Sequence, residues 1–280
     1  MPICLWCISD CATHSDDDNG EPSKASDVPT PQTITCGEIV RRPDELFDAY
    51  ADPKELDTMG ADGLVRLCAD ANIPMEGTRP LLLAWQLDAK ELATFSKEEW
   101  TKGLDVLEVN SLQSLSAVLI DLEELLVLRK PPPGRPPPRA ISKYIKSKSA
   151  TPLIDKYNKG RYWSYVENVE AAFSNFYSFL FGLVKNEGSR NIDIDYALVL
   201  WSVVLEPIYP IMPEIIEFIK EKGTCKGVNK DLWNMMKDFC RVVKPTLEGY
   251  DSDGAWPTLL DDFVAWKNAK GEVNNESIAA

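Results

Sequence analysis

The chain has 280 residues, 44% of them hydrophobic and 9% aromatic, enough to bury a sizeable core in one or two domains. Asp and Glu outnumber Lys and Arg by 44 to 30, a net charge of −14 that argues against a nucleic-acid footprint and suits a basic protein partner. No apolar run approaches the ~20 residues of a membrane span, no signal-peptide pattern opens the chain, and the seven cysteines are too scattered for a disulfide framework, so a reducing, intracellular setting is expected.

Residues 1–43 are poor in hydrophobic side chains and rich in Asp, Ser, Pro and Thr, which predicts a disordered tail. Near its start Cys4, Cys7, Cys11 and His14 stand at a compact spacing that leaves three readings open: a zinc site, S-acylation, or an unmodified reduced tail. A helical period begins at Pro43, with Glu45, Leu46, Phe47 and Tyr50 marking a first helix. Residues 52–63 resemble an EF-hand loop with too few carboxylates for calcium. Leu64, Leu67, Cys68 and Ala71 then share one face of a second helix. Within that stripe, and with no basic residue placed beside it, Cys68 reads as a buried inert thiol rather than a nucleophile. Pro80 belongs in the first turn of a helix over 78–87 that is apolar nearly all round, hence central. Ser96-Lys-Glu-Glu99 is a capping box, and an amphipathic segment over 111–128 closes this first helical half.

Residues 129–161 interrupt the pattern. Pro131 to Pro133 and Pro136 to Pro138 are incompatible with a helix interior, and ten Lys or Arg face one Asp. The stretch reads as a basic linker, with a nuclear-import patch, a ligand for a proline-reading module and a solvated loop as its open roles. Helical patterning resumes at Tyr165, and Phe173, Phe176, Tyr177, Leu180, Phe181 and Val184 predict a buried helix. Asp193 and Asn229 can cap the helices that follow them, and Pro213 opens another. No β-rich run of comparable length occurs, so strands are expected only as short pairings between loops.

Residues 250–264 combine an acidic turn with a helix. Gly254 is expected to supply a positive φ and Pro257 the first helical position. Trp256, Leu259, Leu260, Phe263 and Val264 form one apolar stripe, with Asp261 and Asp262 outside it. Read as a calcium loop with Gly254 at position six, the segment puts Gly249 at position one and Leu260 at twelve, so the required ligands are missing. Catalysis has little to work with: His14 is the one histidine, no Gly-rich phosphate loop occurs, and the carboxylates fall on turns and outer faces. No enzyme activity, metal or cofactor is expected.

The run Gly254-Ala-Trp-Pro-Thr-Leu-Leu-Asp-Asp-Phe-Val264, preceded by Asn229-Lys-Asp-Leu-Trp-Asn234, is similar to the signature of the defective-in-cullin-neddylation family. Ala61-Asp-Gly-Leu64, Leu83-Ala-Trp85, Phe95-Ser-Lys-Glu-Glu-Trp100, Phe176-Tyr177 and Asp195-Tyr-Ala-Leu-Val-Leu-Trp201 match in the same order, so the resemblance runs from about residue 44 to 268. The insert departs from the family pattern, and with the long tail and Cys-rich start it resembles diverged plant members of the family. The resemblance implies an all-α, two-lobed helical domain with degenerate EF-hand-like elements. Its expected parts are a tail over 1–43, helical halves over 44–128 and 165–268, the basic proline-rich insert over 129–164, and a disordered tail over 269–280.

The resemblance further implies a non-catalytic scaffold ligase for cullin neddylation, found in nucleus and cytoplasm and working within cullin-RING ligase complexes. It would hold the charged conjugating enzyme beside the winged-helix end of a cullin. Asp231, Ala255 and Asp261 are the positions matching the family's cullin-binding patch. Leu64, Cys68, Pro80, Leu83, Ala84, Leu87, Phe95, Leu183, Leu200 and Val203 match the apolar pocket that takes the acetylated N-terminal methionine of the conjugating enzyme, although core positions share that composition. Leu200 stands where relatives carry an aromatic hydroxyl, and Pro80 replaces an aliphatic. Two rival readings are an EF-hand-like calcium sensor and an adaptor that recruits partners through the proline-rich insert.

Overall fold

The computed structural model describes residues 42–134 and 157–279, with side chains described as far as residue 270. The Cys4, Cys7, Cys11 and His14 cluster, nearly all of the tail, and residues 135–156 of the insert lie outside the described residues. Eleven helices and four short strands make up the rest: α1 Pro43–Asp48, β1 Thr58–Met59, α2 Ala61–Asp70, α3 Arg79–Leu87, β2 Phe95–Ser96, α4 Lys97–Leu107, α5 Leu112–Leu126, α6 Gly160–Glu167, α7 Val169–Val184, β3 Asn191–Asp193, α8 Ile194–Val204, α9 Met212–Lys222, β4 Gly227–Asn229, α10 Lys230–Val242 and α11 Thr258–Ala279. The fold is therefore dominated by α-helix, and the strands form two separate antiparallel pairs.

Helix starts follow local chemistry. Ser96 Oγ accepts from the Glu99 amide while Glu99 accepts from the Ser96 amide, which closes the expected capping box. Asp193 accepts from the amide of Asp195 and Asn229 from that of Leu232, as their spacing predicts. Each strand pair ties two helix starts together. β1 and β2 precede α2 and α4 with Met59 opposite Phe95, and β3 and β4 precede α8 and α10 with Ile192 opposite Val228.

α7 is the spine of the molecule, packing against α3, α5, α6, α8 and α10. One contiguous apolar core runs through both halves. At its C-terminal centre Tyr177 and Trp233 stack at 4.4 Å, with Trp201 5.7 Å from Trp233. The polar ends of these rings are fully used: Tyr177 donates to the Trp233 carbonyl at 2.8 Å and accepts from Trp201 Nε1 at 2.9 Å, and Trp233 Nε1 donates to the Tyr177 carbonyl at 3.0 Å. Where the halves meet, Trp85 of α3 stacks on Tyr165 of α6 at 5.0 Å and lies 5.4 Å from Phe176 of α7. Arg161 closes the same junction through the carbonyl and side-chain oxygens of Gln86, both at 3.2 Å.

Four expectations are corrected. The second half does not begin at Tyr165: α6 starts at Gly160, inside the expected 129–164 insert. Both flanks of that insert are docked on α5, Lys130 to Glu124 and Tyr157 with Lys159 to Asp121. The C-terminal tail is helical rather than irregular, since α11 continues to Ala279. Lys267 pairs with Glu214 and Lys270 with Glu217 of α9, which extends the helix beyond the signature, whereas Gly271 and two asparagines suggest a break on propensity alone. Gly254 does not adopt a positive φ; in that loop Gly249 does, at 91°. Pro257 precedes α11 instead of opening it, and its carbonyl accepts the first turn's bonds from Leu260 and Asp261.

Candidate functional site

The segment between α10 and α11 is built on Phe239. That ring is fully buried and receives three others edge-on: Tyr250 at 6.4 Å, Trp256 at 5.2 Å and Phe263 at 6.2 Å. Gly249 makes the approach possible. A Cβ there would lie 2.4 Å from the Val242 carbonyl oxygen, and the positive φ turns the chain so that Tyr250 folds back onto α10. Asp251 then organises a tight turn, accepting from the Asp253 amide at its carboxylate and from the Gly254 amide at its carbonyl. Gly254 is needed for space: a Cβ would come within 3.0 Å of the Asp251 carbonyl and 3.1 Å of the Trp256 indole nitrogen.

This frame presents two of the three expected cullin-facing residues. Ala255 is exposed on the turn, between Gly254 and the Trp256 that packs on Phe239. Asp261, one turn into α11, is half-buried rather than fully outside the apolar stripe, and accepts a 2.8 Å hydrogen bond from the Tyr250 hydroxyl. That bond, made to a carboxylate, is the main reason the Tyr250 phenol is pushed above its usual range. Asp231 is exposed in the first turn of α10, eight residues before Phe239, a rise of about 12 Å along the axis. Of the expected patch, then, Ala255 and Asp261 share one scaffold, and Asp231 is joined to them only through α10. Sequence reasoning missed Tyr250 and Phe239 as parts of this site. The signal for them was an aromatic eleven residues before Asp261, placed after a glycine.

The ten expected pocket positions are spread over both halves. Leu64 and Cys68 come from α2, Pro80, Leu83, Ala84 and Leu87 from α3, Phe95 from β2, Leu183 from α7, and Leu200 and Val203 from α8. All are buried in the core except Val203, which is half-buried. α3 lies against α7 and α7 against α8. The Cys68 thiol is pushed up to about 12 by burial, with no activating partner, as suits an inert core residue. Among the described residues no group of three or more His, Cys, Asp or Glu is placed to hold a metal ion, and no helix is long and apolar enough to cross a membrane.

Comparison with known proteins agrees with the resemblance read from the signature. A family model described as cullin binding matches residues 155–266, a span that contains α6 to α10 and the Phe239 frame. The chain is similar to DCN1-like protein 4 of Drosophila melanogaster, 27% identical over 259 residues that cover 89% of this chain and 88% of that protein. It is also similar to human DCN1-like protein 5, 27% identical over 80% of this chain and 76% of the relative, and to human DCN1-like protein 4, 28% identical over 81% and 62%.

Proposed function

We propose that this chain, which belongs to the DCN1-like family of cullin-binding proteins, acts in cullin neddylation as a non-catalytic scaffold. Its task is to hold the charged conjugating enzyme next to the cullin winged-helix domain, so that the ubiquitin-like modifier passes to a cullin lysine. The observation that carries this reading is the coincidence of the cullin-binding match with the Phe239 frame, which exposes Ala255 and half-exposes a held Asp261. Carboxylates at Asp231 and Asp261 suit basic side chains of the partner, and the small Ala255 lets that surface approach closely. A scaffold needs no nucleophile of its own. Tethering two reactants raises their effective concentration and fixes their orientation, which accelerates transfer by positioning alone.

The apolar set from Leu64 to Val203 is the proposed seat of the acetylated N-terminal methionine of the conjugating enzyme. Acetylation removes a terminal charge whose burial among such side chains would be costly. A reconstituted transfer assay tests the reading. With pre-charged conjugating enzyme and a cullin, added chain should raise the initial rate several-fold, while the Asp231→Ala, Ala255→Arg, Asp261→Ala variant should not. A rate indifferent to the wild-type chain would overturn the proposal.

A further inference from the structure

Asp261 is not an ordinary surface carboxylate. Its Oδ1 accepts the Tyr250 hydroxyl at 2.8 Å and its own amide donates to the Pro257 carbonyl at 3.3 Å, whereas neighbouring Asp262 is exposed. Tyr250 is itself held on two sides. Its amide donates to the Leu247 carbonyl, and its ring lies edge-on to the buried Phe239 that also carries Trp256 and Phe263. A carboxylate bonded at one oxygen by a fixed hydroxyl keeps one rotamer and leaves its other oxygen for an external donor. The entropy of ordering that side chain is then lost on folding rather than on binding.

We infer that Tyr250 is a positioning residue of the partner-facing patch, presenting the free oxygen of Asp261 to a basic side chain of the cullin next to the small Ala255. The inference rests on the cullin-binding reading above. Two features give the hydroxyl a role beyond packing. The ring alone would suffice to cover Phe239, and the Gly249 turn with its positive φ is what brings the phenol oxygen to α11.

The test is a double-mutant cycle on cullin winged-helix binding by the full chain, using Tyr250→Phe, Asp261→Ala and both together. Phenylalanine keeps the ring on Phe239 and removes only the donor. Tyr250→Phe should weaken binding roughly 3- to 10-fold in the wild-type background, the usual range for one hydrogen bond, and less than about 2-fold in the Asp261→Ala background. Equal weakening in both backgrounds, or no weakening in wild type, would overturn the positioning role while leaving cullin binding intact. A wild-type chain that binds no cullin domain would instead remove the reading beneath it, and the inference with it.

Discussion

Gly249 and Gly254 stand five residues apart in one loop and are required for different reasons. At Gly249 a methyl would meet a backbone oxygen at 2.4 Å and the φ of 91° would strain any L side chain, so Gly249→Ala should cost about 2–3 kcal/mol. At Gly254 the φ is ordinary and tight contacts at 3.0 and 3.1 Å oppose the methyl, so Gly254→Ala should cost about 1 kcal/mol. Urea denaturation of the two variants checks the order. From sequence alone the glycine after the acidic turn was the natural candidate for the left-handed residue, because Asp-x-Asp-Gly reads as turn chemistry. The actual requirement came from the packing of Tyr250 on Phe239, a contact across eleven residues that no local pattern encodes. The two buried thiols make a separate prediction. Burial pushes Cys68 and Cys240 up to about 12, so above the ordinary thiol range the unfolded chain releases protons that the folded chain keeps. Their contribution is complete below about pH 8.5 and is lost as pH rises toward 12; denaturation midpoints should fall between pH 8 and 10 by less in a Cys68→Ala, Cys240→Ala variant than in wild type.

Among the elements, caps and apolar stripes were legible because they are local. Ser96 with Glu99, Asp193, Asn229 and Pro213 all mark the helix starts that their residue types and spacing predict. The start of α6 was not, since Lys159-Gly160-Arg161 continues the charge of the insert and Gly160 discourages a helix; the start is set instead by docking. Asn158 donates from its amide to the Leu107 carbonyl and from its side chain to Glu108, and Lys159 pairs with Asp121. For α11 the deciding partners are on α9, again distant in sequence. The Tyr177, Trp201 and Trp233 group joins α7, α8 and α10 through both stacking and hydrogen bonds. Tyr177→Phe preserves the ring but leaves the buried Trp233 carbonyl and Trp201 indole N–H without their partner, at a cost of about 2–3 kcal/mol. Thermal unfolding that matches wild type would show that these groups find other partners.

At the scale of the whole molecule, the helical class was readable from periodicity and from the family signature. The joining of its halves was not. Trp85, Gln86, Tyr165 and Arg161 lie on either side of the insert and become neighbours only in the fold. The same limit applied to the candidate site. Asp231, Ala255 and Asp261 were named through the resemblance, while the Tyr250 and Phe239 support beneath two of them depended on geometry. Net charge acts here too. A chain at −14 approaching a basic partner should associate faster at low ionic strength, and raising salt should slow association more than it speeds dissociation.

The most direct test of the scaffold reading is equilibrium binding of the full chain to isolated cullin winged-helix domains, wild type against Ala255→Arg. Ala255 is exposed and buries nothing that the fold needs, so the variant should unfold at the wild-type temperature. The result expected is binding by wild type and a loss of at least tenfold on placing a bulky cation where close approach is required. Equal binding by both chains would contradict the proposed patch, and no binding by either would contradict the cullin partner itself.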